Sequence, residues 1–349
     1  FGLFFSINGG DSWFQMKNGL PTVAVRDIEI QRRENDLVIA TFGRGFYILD
    51  DYSILRNLKK EDLTKEASIF PIKNALIYNP SMKLGLRGKG HLGSSYFTSP
   101  NPEPGAIIYY YTKDELKTLK TIRKEIEKTK IEQKQAVYYP SLDSLRMEDQ
   151  QFEPYYLFTI RDAAGNIIRH LKATGSKGLQ KIQWDMRAPI PDPVTNRSSP
   201  AEDQLFSSEQ QGYLVGPGTY SVQMSKVIDG VITDIGNRQN FNLIPLNNSS
   251  LPLPDPNDNL KFFQQVDKLS KAVSAINDIV EQMKNRIHNI DLACQDIQSS
   301  TGSILERNNN LRKNLLANII ILQGDPTAGS REFETKTSIN DRIGGIQGA

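Results

Sequence analysis

Ser6-Ile7-Asn8-Gly9-Gly10-Asp11-Ser12-Trp13 is the stretch on which the reading of this chain turns. Apolar runs flank it, Leu3-Phe4-Phe5 on one side and Phe14-Gln15-Met16 on the other. A short polar side chain at Asn8 is suited to accept backbone N–H bonds across a tight turn. Gly10 takes a backbone angle other residues resist, and Trp13 folds over the turn. Ser6, Asn8, Gly10, Ser12 and Trp13 therefore read as a staple for a hairpin, not as chemistry.

Working outward, residues up to Asp51 alternate strand and turn. Val23 to Ile30, Leu37-Val38-Ile39-Ala40 and Phe46-Tyr47-Ile48-Leu49 are short β-rich runs separated by Gly-, Asn- and Asp-containing turns, and no helix fits between them. Gly2-Leu3-Phe4-Phe5 is echoed by Gly45-Phe46-Tyr47-Ile48, 43 residues later. That period matches the roughly 40 to 50 residues of a four-stranded propeller blade. The octet Ser-x-Asn-x-Gly-x-Ser-Trp resembles the Asp-box, with Asn8 in place of the usual Asp. Together with Arg33 to Asp51, it resembles the closing blade of large exported bacterial BNR-repeat proteins of the Bacteroidetes type, which are sortilin-like and commonly labelled glycosyl hydrolases. The resemblance implies that residues 1–53 are terminal blades of an Asp-box β-propeller, about one and a half of the six or so that close a ring. It implies further that the other blades precede Phe1, which would be a cut end, that the C-terminus is cut likewise, and that the protein is secreted or otherwise extracytoplasmic.

Residues 54–104 are rich in Gly, Pro, Ser and Asn, yet Ile69, Phe70, Ile72, Leu76 and Ile77 are too apolar for a free linker. They are expected to form an irregular connector. Within it, Gly88-Lys89-Gly90-His91-Leu92-Gly93 spells GxGxxG, but neither a buried strand before it nor a helix after it supports a nucleotide site. From Gly105 the strand pattern resumes. Ala106 to Tyr111, the alternation Tyr156, Phe158, Ile160, the turn Asp162-Ala163-Ala164-Gly165-Asn166, the strand around Trp184 and Tyr220 to Met224 indicate an immunoglobulin-like β-sandwich over 105–246. Trp184 is its expected core anchor, and the D-x-x-G-N, W-D-x-R and P-G-T-Y segments resemble the module that follows the propeller in the same family. A helical insertion is expected near 112–150, where Leu116, Leu119, Ile122 and Ile126 form a stripe that should pack on a neighbour.

Over 255–349 the period changes. Phe262, Val266, Leu269, Val273, Ile276, Val280, Met283, Ile287, Ile290, Cys294 and Ile297 advance by alternating steps of four and three, a heptad seam. Ile304, Asn308, Leu311, Leu315, Asn318 and Leu322 repeat it, so two helices should lie antiparallel, seam against seam. Asn308 and Asn318 would fix register, Cys294 would be buried, and the seam offers a route to self-association. The expected class is thus multidomain, mainly β plus α: partial propeller blades, an immunoglobulin-like sandwich with a helical insertion, and a C-terminal antiparallel helical hairpin.

No catalytic set is identifiable. Lys plus Arg number 42 against 40 Asp plus Glu, so net charge offers nothing to nucleic acid. No apolar run approaches the length of a spanning helix. His91, His170 and His288 are scattered, the single cysteine excludes an internal disulfide, and neither a metal site nor a cofactor is expected. Glycoside hydrolysis needs two carboxylates, or a carboxylate with a Tyr nucleophile, across a cleft. Arg44, in a Gly-flanked turn, and Asp50 with Asp51, ending a strand, are the candidate ligand contacts. Two readings stay open. In one, the chain is an accessory scaffold whose partners are the remaining blades and whose glycan or peptide ligand binds the propeller. In the other, it is the non-catalytic part of a glycoside hydrolase, sialidase-like or related.

Overall fold

The computed structural model describes residues 1–17, 19–78, 104–189, 212–247, 256–297 and 301–347. Over these the chain is mixed α and β, with several antiparallel sheets and a C-terminal helical region. It divides into two compact units, Phe1–Met186 with Pro217–Asn248, and Arg187–Gly216 with Ser249–Ala349. The Gly88 to Gly93 run and His91 lie outside the described residues.

In the first unit β1 (Leu3–Phe5) pairs antiparallel with β2 (Phe14–Met16), while β3 (Val25–Gln31), β4 (Asp36–Thr41) and β5 (Phe46–Leu49) form an antiparallel meander followed by the short helix α1 (Ser53–Asn57). Their shared core is small: Leu3, Leu20 and Ile39 are buried, with Met16, Val25, Leu37 and Tyr47 against them.

Next come β6 (Ala67–Ile69), β7 (Ala75–Ile77) and β8 (Ala106–Thr112), the helices α2 (Leu119–Glu132) and α3 (Leu142–Gln150), then β9 (Tyr155–Arg161), β10 (Ile167–Thr174), β11 (Gly178–Trp184), β12 (Gly218–Ile228) and β13 (Val231–Pro245). They build a five-stranded sheet in the order β10-β9-β12-β13-β7, parallel only between β13 and β7, and a three-stranded antiparallel sheet β11-β8-β6. Period-two sequence drives this arrangement. In β8 alternate residues Ala106, Ile108, Tyr110 and Thr112 are buried, and in β9 Tyr156, Phe158 and Ile160. The two inner faces meet through aromatic rings: Tyr110 lies 4.8 Å from Phe158, and Trp184 lies 5.4 Å from Tyr220 and 6.1 Å from Phe241. Each fully buried aromatic contributes about 2 kcal/mol or more by leaving water. Gly105 at the mouth of β8 has φ +140°, and a Cβ there would stand 2.2 Å from the Trp184 carbonyl oxygen, so only glycine fits.

In the described part of the expected connector, residues 54–78, the chain forms two strands. β6 and β7 complete the edges of the two sheets, and Ile69 and Phe70 are buried. A break in the β12–β13 register, where Val222 pairs with Gln239 but Met224 with Ile235, frees Asn237. Its amide accepts from the Ile69 N–H at 3.2 Å and donates to the Ile69 carbonyl at 3.3 Å, and the Gln239 amide donates to the same carbonyl at 3.1 Å. Side-chain amides thus satisfy backbone groups on an edge strand that lack a ladder partner.

The helical insertion is present, with Thr118 and Ser141 hydroxyls capping α2 and α3. Its packing corrects the expectation. Leu119, Ile122 and Ile126 stay exposed, and α2 is tied to α3 by charge instead: Arg123 donates to both carboxylate oxygens of Glu148, at 2.6 and 2.9 Å, and to Glu127 at 2.7 Å. The planar guanidinium holds the two helices in a bidentate geometry that a short apolar stripe would not enforce.

The second unit contains α4 (Pro256–Asp296), α5 (Gly302–Gln323), a 3₁₀ turn at Gly329–Glu334 and α6 (Ile339–Gln347). Asn308 donates to the Ile287 carbonyl at 2.9 Å and to Asp291 at 2.6 Å, while Gln323 reaches back to Asn277 at 3.0 Å, so α5 runs antiparallel to α4. Val273, Val280, Ile319, Leu322 and Ile343 form the core, with Leu315 and Ile339 packed on it. The expected seam is halved. Val273, Val280, Ile287 and Cys294 are buried, whereas the intervening Phe262, Leu269, Ile276, Met283, Ile290 and Ile297 are exposed. On α5, Asn308 is buried as a register-fixing residue should be, but Asn318 is exposed and bonds its own helix at the Asn314 carbonyl. Among the described residues no helix is long and apolar enough to cross a membrane.

Candidate functional site

The octet forms the closed polar turn that its spacing requires. Gly9 and Gly10 have φ of +75° and +104°, the left-handed region that glycine enters without strain. The Asn8 Oδ1 accepts from the Ser6 hydroxyl at 2.8 Å and from the Ser12 N–H at 3.0 Å, while its Nδ2 donates to the Ser12 hydroxyl at 2.9 Å. The Ser6 hydroxyl oxygen in turn accepts from the Gly10 N–H at 2.9 Å. Trp13 lies over Gly10, where a Cβ would meet its Cζ2 at 4.0 Å, yet the indole remains 63% exposed. The Ser6, Asn8 and Ser12 side chains are all engaged in the turn itself.

The three candidate contacts do not come together. Arg44 sits in the β4–β5 turn between Gly43 and Gly45, both at φ +75°, while Asp50 and Asp51 lie beyond the other end of β5. The four residues of that strand separate the two groups by about 13 Å. Asp51, itself at φ +48°, is engaged in structure: its N–H donates to Asp36 at 3.0 Å, and its carboxylate accepts from the Ser53 N–H at 3.2 Å, at the start of α1. Asp50 is exposed.

Tyr109, on β8, is the tyrosine of the first unit whose phenol the Asp50 and Asp51 carboxylates influence. Burial, and behind it the negative charges of Asp51 and Asp50, push the Tyr109 phenol above its usual value. A phenol held protonated is the reverse of a Tyr nucleophile, which needs its proton removed. At the β3–β4 turn, Lys73 donates to the Glu34 carbonyl at 3.1 Å and pairs with the Glu34 carboxylate; the Lys73 hydrogen bond outweighs desolvation and holds that carboxyl below the ordinary range. This pair braces the turn. No spacing in the sequence signals that Glu34 and Lys73 meet.

His170 shares a hydrogen bond of 3.2 Å with Thr159 on the neighbouring strand, and His288 is exposed on α4. Among the described residues no group of three or more His, Cys, Asp or Glu side chains is placed to hold a metal. In the second unit a groove of about 670 Å³ is lined by polar residues including Asn277, Asp278, Glu281, Gln323 and Asn340. Asn277 sits at its centre, donating to Asn340 at 3.2 Å and accepting from Gln323. These amides are bonded to one another and orient α6 on α4. Neither a protein-family model nor a curated protein matches the chain.

Proposed function

We propose that this chain is an accessory, non-catalytic region of an exported Asp-box propeller protein, in which an immunoglobulin-like module and a helical module brace a propeller whose ligand or catalytic site lies in blades outside residues 1–349. The single observation that carries the reading is the turn at Ser6–Ser12, in which the Ser6, Asn8 and Ser12 side chains and the Gly10 N–H bond one another in the way an Asp-box staples a blade hairpin. Two further features support it. The β3–β4–β5 meander leaves Ile28, Ile30, Phe46 and Ile48 exposed, apolar faces of the kind that neighbouring blades of the same protein would cover. Two sheets closing over a buried tryptophan are what an immunoglobulin-like module requires.

The test has two arms. Incubated with aryl-glycosides, the chain is expected to give no turnover; hydrolysis abolished by Asp50→Ala or Asp51→Ala would overturn its non-catalytic role. In hydrogen exchange, the amides of β3 to β5 are expected to exchange well before those of β8, β9 and β12. Equal protection would mean that the first strands already close within this chain, and the propeller reading would fall.

A further inference from the structure

The halved heptad seam of α4 points beyond that reading. Phe262, Leu269, Ile276, Met283, Ile290 and Ile297 recur every seventh residue over five heptads and are all exposed. Three residues beyond the first five of these comes a second exposed row, Gln265, Ala272, Ile279, Arg286 and Ala293. Rows offset by three and four are the two core rows of a coiled coil. Helix α4 therefore carries two seams: one is filled by α5 and α6, the other by nothing among the described residues. Ile276 and Ile279, at its middle, are 47% and 49% exposed.

We infer that this second seam is covered by the same seam of a second copy, running antiparallel. Three observations select that occupant. First, the seam complements itself: setting Ile276 against Ile279 of the other copy brings Phe262 opposite Ala293, Met283 opposite Ala272 and Leu269 onto the aliphatic stem of Arg286. Large residues then meet alanine in two layers, while Leu269 and Ile290 pack on the aliphatic stems of Arg286 and Gln265. Second, the row one residue earlier reads Lys261, Lys268, Ala275, Gln282, Asn289, Asp296, from positive to negative along the helix. In a parallel pair this row would face the row of Val273, Val280, Ile287 and Cys294, which is already buried, whereas in an antiparallel pair it faces itself and sets Lys261 beside Asp296 at both ends. Third, five heptads span about 50 Å of helix. A two-helix contact of that length buries on the order of 800 Å² per copy, the size of a standard stable interface.

Sedimentation equilibrium of the full chain between about 1 and 100 μM tests the inference. The mass is expected to rise from that of one chain toward that of two. Ile276→Glu combined with Ile279→Glu, with folding checked by circular dichroism, is expected to weaken association about 100-fold or more. Lys261→Asp or Asp296→Lys alone should weaken it about threefold, and the two together should restore it. These exposed charge positions keep the test decisive should the glutamate pair unfold the helix. A single-chain mass at every concentration, or association indifferent to the glutamates, overturns the inference; failure of the double swap to restore association after both single swaps weaken it overturns the antiparallel pairing.

Discussion

The strands of β1 to β5 and those of β6 to β13 are built from similar residues but bury them differently. In the second set nearly every inward side chain is sealed: Ile108, Phe158, Ile160, Trp184, Val222 and Met224 have essentially no exposed surface. In the first set two strand residues, Leu3 and Ile39, are buried, while Phe46 on β5 is 77% exposed with Phe4, Phe14 and Ile48 also in solvent. Apolar alternation decides that a segment forms a strand with a burial-seeking face, but another layer must be present before that face stabilises anything. One set finds its second layer inside the chain. The other presents its face outward, and that asymmetry supports the functional reading.

The largest expected effect breaks the comparison directly. Trp184→Ala removes the ring that contacts Tyr220 and Phe241 and should cost about 3–5 kcal/mol in urea unfolding. Phe46→Ala removes a ring of comparable character from an exposed face and should lie within about 0.5 kcal/mol of the parent. Similar losses for both would mean that β5 is covered in solution and that the two regions are alike.

Much of the closed region was legible in the sequence, because its signals are local. The alternation of Tyr156, Phe158 and Ile160, the Asp162 turn and the central Trp184 each lie within a few residues of what they determine. β6 and β7 were not legible. Three-residue strands carry too little periodicity, and the Asn237 amide that secures Ile69 lies 168 residues away in the chain. In α4 the heptad was plain, but a heptad does not say which of its rows a partner takes, so the exposure of Ile276 and Met283 had to come from the structure. The same limit applies to the candidate site. The bonds of the octet follow from its spacing, whereas the pairing of Glu34 with Lys73, 39 residues on, depends on tertiary folding alone.

A smaller effect sharpens the contrast at the octet itself. Asn8→Ala deletes one acceptor used twice and one donor, at a cost of about 1 kcal/mol because the turn is open to water. Asn8→Asp should be within about 0.5 kcal/mol of the parent. Its two oxygens can accept from the Ser6 hydroxyl and the Ser12 N–H, and the Ser12 hydroxyl can rotate to donate where it now accepts. Thermal unfolding monitored by Trp13 fluorescence separates the two. If aspartate proved as damaging as alanine, the turn would not be the carboxylate-tolerant staple that the motif requires.

The smallest effect concerns the turn between β9 and β10, in the closed region. Asp162 accepts from the Asn166 N–H at 2.8 Å and from the Asn166 amide at 2.9 Å. Burial alone would raise its carboxyl, but these bonds and the N–H groups of Ala164 and Gly165 outweigh it and hold the carboxyl below its usual value. A group depressed in the folded state binds its proton more readily when unfolded. Its stabilisation is therefore fully present above the unfolded value near pH 4 and is lost as pH falls through the folded one. Asp162→Asn keeps one acceptor but sets an NH₂ against the Asn166 amide. At pH 7 the variant is expected to melt about 2 °C below the parent, and near pH 3 the gap should narrow. A gap that stayed constant from pH 7 to pH 3 would show that the loss comes from geometry alone, with the ionised form of Asp162 contributing nothing to the closed sheets.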